Sequence, residues 1–223
     1  MKTTNRNDHS DDEVIREVYR LEEERFEVQS AEDASFEKMD VVYGTIESRD
    51  LIGTLFLPKN GSETARPSVV YLHGGGWRGG TREQFPRHAA EMTSKGFAGL
   101  CIDYRLSDES PYPAAIQDAK CAVRYLRANA ERFALDPTRI GAVGGSAGAH
   151  LAAFLATTGD KRRQEWEGTG GHQDYDSSIQ AAVLFNGEYD LRTWWEYGKC
   201  NEFMLNFFRK PFEEAQDLYH ETS

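Results

Sequence analysis

Apolar runs at 68–72, 97–103, 140–143 and 179–185 alternate along this chain with segments of helical periodicity. A strand that is apolar on both sides needs cover on both faces. Strands of that kind alternating with helices build a mostly parallel sheet between two helical layers, an α/β fold. The helices expected from spacing lie at 85–95, 113–133 and 147–157. The first has Pro86 suited to its opening turn and Gly96 past its end. The second points Ile116, Val123 and Leu126 inward, and the third is rich in alanine and leucine. Two earlier strands, 39–43 and 51–57, are joined by a short polar turn and add an antiparallel edge. A polar loop at 168–178 precedes the last strand. Beyond it come short helical pieces carrying Trp194, Trp195, Phe203, Leu205, Phe207 and Phe208.

The start of the chain reads differently. Residues 1–12 are a polar, acidic tail, and Val14, Val18 and Leu21 fall at helical spacing within 12–30. The expected division is a tail and surface helix over 1–30 and an α/β domain over 31–223. With 223 residues there is enough chain for one domain and its core. A 39% hydrophobic, 28% charged composition is that of a globular chain, not a disordered one. The net charge of -11 argues against nucleic acid and anionic membrane as partners. No apolar leader or membrane run is visible, so a cytoplasmic protein is expected. Cys101, Cys121 and Cys200 are odd in number and fit no metal knuckle. They read as small buried apolar residues, and no metal site is expected.

Two motifs carry chemistry. Gly144-Gly145-Ser146-Ala147-Gly148 stands between the 140–143 strand and the 147–157 helix. That is the setting of a nucleophile elbow, where small neighbours let a strand turn sharply into a helix with a serine at the apex. His73-Gly74-Gly75-Gly76-Trp77 follows the 68–72 strand. Consecutive glycines let backbone N–H groups converge without side-chain obstruction, as an oxyanion hole requires. Either motif alone could be an ordinary glycine turn. Together, in this order and each after a strand, they specify far more.

With these residues the chain resembles the α/β-hydrolase superfamily. More narrowly it resembles the hormone-sensitive-lipase-like group and its feruloyl and acetyl-xylan esterase-like members. Asp103-Tyr104-Arg105-Leu106, Pro113 to Asp118, Asp136-Pro137 with Arg139-Ile140, and Gly187 with Asp190-Leu191 also carry the resemblance, which runs from about Asp40 to the last residue. It implies that Ser146 forms an acyl-enzyme and that the N–H groups of Gly75, Gly76 and Ala147 hold the oxyanion. It implies that His73 orients the glycine loop, with Gly74, Gly144 and Gly148 as supporting positions, and that Trp77 lines the substrate pocket. Tyr104 and Asp118 are implied to be scaffold. Substrates would be small-molecule or carbohydrate esters, acetyl and feruloyl esters among them, with no cofactor. A homodimer is compatible with this.

The chain departs from the pattern after 185. The group's acid and histidine follow a seventh and an eighth strand, whereas Tyr219 to Ser223 resembles the segment just before the seventh. The expectation is therefore a fold lacking its last strands, C-terminally truncated, with the apolar edge of 181–185 unpaired or covered by the aromatic stretch 194–208. Glu188 and Asp190 both follow the sixth strand. Asp190 is the candidate acid, although the matching aspartate of the group looks structural. None of His9, His88, His150, His172 and His220 is an evident base. An arylformamidase-like amidase and an inactive hydrolase-like binding module remain as alternatives.

Overall fold

The computed structural model describes residues 35–59, 64–159, 163–198 and 201–223. The expected surface helix at 12–30, His9 and Cys200 lie outside them. The described chain from Ser35 onward forms one compact unit.

Six strands make a mixed sheet: β1 (Phe36–Ile46), β2 (Arg49–Pro58), β3 (Arg66–Leu72), β4 (Ala98–Ile102), β5 (Leu135–Gly145) and β6 (Ala181–Phe185). Their spatial order is β1-β2-β4-β3-β5-β6. β1 runs antiparallel to β2 and β2 antiparallel to β4, and the remaining neighbours are parallel. The helices are α1 (Pro86–Ser94), α2 (Ala114–Ala128), α3 (Ala130–Phe133), α4 (Ala147–Thr157), α5 (Gln164–Glu167), α6 (Leu191–Glu196), α7 (Asn201–Phe208) and α8 (Gln216–Glu221).

The expected 113–133 helix is two. Asn129 leaves helical geometry with φ -102° and ψ 17°, which ends α2 and opens α3. Its side-chain amide donates to the Tyr125 carbonyl, competing with the helix ladder as asparagine does. β5 is longer than the apolar run 140–143 because Leu135 pairs with Arg66 across an irregular register.

Each face of the sheet has its own core. On one, Phe56, Val69, Tyr71 and Cys101 meet Phe85 and Ala89 of the α1 region. On the other, α2 and α4 bury Ile116, Val123, Leu126, Leu151 and Leu155 against Val70, Leu72, Leu100 and Ile140. Buried Asp118 holds Arg105 through both carboxylate oxygens, at 2.7 Å and 3.0 Å. Cys101 and Cys121 are buried free thiols, and burial pushes both pKa values up.

β6 differs from its neighbours. Among the described residues its only strand partner is β5. Val183, Leu184 and Phe185 are 49%, 39% and 46% exposed, so this strand lacks the two-sided cover of β3 and β4. The aromatic stretch does not supply it. Phe207 and Phe208 of α7 are buried instead toward Tyr112, with Phe207 also stacked on Trp77.

The order of strands places the site. From β3 the chain crosses to β4 on one side, and β5 lies against β3 on the other. Crevices open at the carboxyl ends of strands at such a reversal. Leu72 and Gly144 are register partners at those ends. The loop after β3 and the turn after β5 therefore start side by side.

Candidate active site

Ser146 closes β5 and caps α4 in a backbone conformation, φ 50° and ψ -120°, that a residue with a Cβ rarely adopts. Its own N–H donates to the Phe185 carbonyl at 2.8 Å, which ties the turn to β6. Close backbone approach explains the glycines around it. A Cβ on Gly144 would stand 2.1 Å from the Gly148 carbonyl oxygen, and one on Gly148 would stand 2.1 Å from that of Leu72. Gly145 is unlike them, since a Cβ there meets nothing nearer than Phe85 at 3.6 Å.

The loop after β3 comes up against this turn. The position a Gly74 Cβ would take lies 3.4 Å from Ser146 Cβ and 2.9 Å from the Gly145 oxygen. Gly75 and Gly76 have φ values of 113° and 59°, outside the range of most L-residues. The Gly75 carbonyl turns back to accept from the Arg78 and Gly79 amides. The Gly74 amide is taken by Gln84 Oε1. Among the described residues no backbone carbonyl takes the amides of Gly75, Gly76 or Ala147. Of these, Ala147 opens α4, where the helix dipole favours an anion.

His73 stands behind the loop. It is buried, stacked on Tyr104 at 4.1 Å, and its Nδ1 lies 2.8 Å from the Gly74 oxygen. Tyr104 donates its hydroxyl to the His73 carbonyl at 2.9 Å. Burial lowers the His73 pKa, which favours the neutral ring. Trp77 has φ 57° and is 3% exposed, between Phe207 and His150. It is packed into the core there, where the resemblance implied a pocket wall.

Of the acids after β6, Asp190 is not brought to the serine. Its carboxylate caps α6, accepting from the Thr193 amide at 2.9 Å and the Thr193 hydroxyl at 2.7 Å. These bonds hold its pKa below the usual carboxylate range. Glu188 is brought there: Ser146 Oγ donates to Glu188 Oε1 at 3.4 Å. Glu188 stands three residues and Asp190 five beyond the strand end, and spacing alone does not say which of them reaches the serine. Phe203 is a further site residue that spacing does not single out, since an aromatic in a run of aromatics carries no mark of its own. Its ring lies 2.4 Å from where a Gly76 Cβ would be, so it covers Gly76 directly.

The described histidines are engaged elsewhere. His88 is on the exposed side of α1, His172 lies against Tyr125, and His220 lies against Phe212. His150 is buried, with Nε2 2.7 Å from the Thr222 carbonyl oxygen. Burial lowers its pKa to about 4. An unfolded chain would take up the proton near pH 6.5, and the fold would refuse it until about pH 4. Stability is therefore complete above pH 6.5 and is lost as pH falls through that window. The loss amounts to about 2 kcal/mol at pH 5. Urea unfolding of the wild type and of His150→Gln at pH 7.5 and pH 5 should show a smaller pH loss in the variant. Equal losses in both would contradict the assignment.

The chain has relatives. A family model described as BD-FAE matches residues 54–223. Carboxylesterase NlhH of Mycobacterium tuberculosis is 42% identical over 91 residues, covering 40% of this chain and 28% of that protein. Thermogutta terrifontis esterase 2, solved phosphonylated by cyclosarin, is 29% identical with a TM-score of 0.63. That match covers 69% of this chain and 58% of the esterase. A bifunctional GH43-CE protein of Bacteroides eggerthii is 25% identical with a TM-score of 0.73, covering 86% of this chain and 26% of its own. The chain thus spans less than two thirds of each of these relatives.

Proposed function

This chain belongs to the BD-FAE family of α/β-hydrolase esterases, and on that premise we propose that it hydrolyses carboxylic esters through an acyl-enzyme on Ser146. The observation that carries the reading is the strained turn at Ser146, held within contact of Gly74, together with three amides of the two glycine turns that no backbone carbonyl takes among the described residues. In this reading Ser146 Oγ attacks the ester carbonyl carbon. The negative charge that develops on oxygen is received by the N–H groups of Gly75, Gly76 and Ala147, a contribution of about 10²–10³ in rate for each donor. The alcohol leaves, and water releases the acid from Ser146. His73 and Tyr104 hold the donor loop in place.

Small and medium acyl groups fit Phe203, which stands over Gly76 and narrows the space beside the oxyanion donors. Acetyl and feruloyl esters of carbohydrates are the substrates we favour. The relatives named esterase and carboxylesterase support ester chemistry. A panel of acetyl, butyryl and feruloyl esters, set beside N-formyl amides, tests this. Turnover of the short esters at least tenfold above the amides is expected. Preference for the formyl amide would move the protein to amidase chemistry.

A further inference from the structure

We propose that Gln84 is a positioning residue for the oxyanion donors: by holding the Gly74 amide it fixes the peptide planes that orient the Gly75 N–H. The proposal rests on Ser146 being the nucleophile and on the glycine loop receiving the negative charge. It names a residue outside both motifs that sets the geometry of that loop. Gln84 Oε1 accepts from the Gly74 N–H at 2.5 Å.

A trans peptide is planar, with its C=O and N–H pointing to opposite sides, so holding one group sets the direction of the other. The peptide between His73 and Gly74 is held at both ends. Tyr104 donates its hydroxyl to the His73 oxygen at 2.9 Å, and Gln84 takes the Gly74 N–H. The next peptide is held through its oxygen. The Gly74 carbonyl can only accept, and it accepts from His73 Nδ1 at 2.8 Å. The far end of that second plane is the Gly75 N–H, which therefore points away from the His73 ring. It is one of the three amides that no backbone carbonyl takes among the described residues. Three glycines in a row bring no side chains of their own to restrain these planes, so the restraint comes from neighbours. Gln84 supplies it on the N–H side of the first plane.

Gln84 is itself held firmly. It ends a single 3-10 turn, Arg82–Gln84, and that turn is tied to three strands. The Arg82 amide donates to Asp103 Oδ1, just past β4, at 2.7 Å, and the Arg82 guanidinium pairs with the other Asp103 oxygen. The same guanidinium donates to Thr54 Oγ1 on β2 at 3.0 Å and to Asp40 Oδ2 on β1 at 3.1 Å. On its way to this turn the chain passes close against Gly74. A Cβ on Gly80, whose φ is 94°, would stand 2.3 Å from the Gly74 oxygen and 2.4 Å from His73 Nδ1. The residue after Gln84 reaches the other motif: a Cβ on Gly145 would meet the Phe85 ring at 3.6 Å. One short, anchored segment thus touches both the donor loop and the turn that carries the serine.

Two variants of the full chain test this. Gln84→Met keeps the length of the side chain without a carbonyl oxygen, and Gln84→Glu keeps an acceptor. Each is measured for turnover of an activated acetyl ester and for hydrogen exchange of the Gly74 amide by NMR. Gln84→Met should lower kcat by about 10-fold or more and leave KM within about threefold, because an oxyanion donor acts in the transition state and little in the ground state. A role in packing alone would not divide kcat from KM in this way. The Gly74 amide should exchange about 10-fold or more faster in Gln84→Met, having lost its acceptor. Gln84→Glu should keep the slow exchange and a kcat above that of Gln84→Met. Unchanged Gly74 exchange in Gln84→Met overturns the hold. Faster exchange with wild-type kcat overturns the positioning role and leaves Ser146 as nucleophile. A wild-type chain that turns over no ester beyond Ser146→Ala overturns the hydrolase reading and the positioning role with it, while Gly74 exchange still reports whether Gln84 holds the loop.

Discussion

Ser146→Ala is expected to lower ester turnover by on the order of 10⁴-fold or more while leaving the fold intact. The two halves of this expectation have separate causes. Without Oγ there is no atom to form the acyl bond, and water must attack in its place with only the oxyanion donors to help. The fold is spared because the backbone strain of φ 50° at residue 146 is a matter of Cβ, which alanine keeps. The lost hydroxyl makes one long bond, to Glu188. Turnover of an activated acetyl ester and the urea midpoint, measured on the same preparation, check both halves. A drop of less than tenfold in turnover with an unchanged midpoint would remove Ser146 from the chemistry.

The second large effect is expected at the glycines flanking the turn. Gly148→Ala should destabilise the fold by about 3–5 kcal/mol and lower Tm by roughly 10 °C, with loss of activity. A Cβ at 148 would enter the space of the Leu72 and His73 carbonyls, 2.1 Å and 2.4 Å away. Both belong to backbone at the end of β3, so relief means parting α4 from the strand that feeds the glycine loop. The comparison is Gly145→Ala, where the nearest atom is a phenyl carbon at 3.6 Å. That variant should melt within about 1 °C of the wild type, since ordinary van der Waals contact adds no strain. Equal melting temperatures for the two variants would contradict the steric role of Gly148 in the turn.

Much of the fold and the core of the site are legible in the amino-acid sequence. β3 and β4 show as apolar runs because both their faces are buried, and the turn at Ser146 shows because Gly144 and Gly148 have no substitute on steric grounds. Tertiary placement is not legible. Trp77 looks like a pocket wall in one dimension, and it becomes core because α7 folds back and stacks Phe207 on it. Asp190 and Glu188 are interchangeable as acids following a strand. What separates them is that a cap on α6 engages one, while the turn at Asn186 and Gly187 carries the other to Ser146. Phe203 gains its place over Gly76 through the same return of α7, which no periodicity in a short helix records.

The acyl-enzyme on Ser146 is tested most directly by quenching the chain in acid during turnover of an activated acetyl ester and locating the acyl group by peptide mass spectrometry. One acetyl group is expected on the peptide that carries Ser146, absent from Ser146→Ala. Ester turnover with the acetyl group on another residue, or with none on that peptide, would contradict the role of Ser146 as nucleophile.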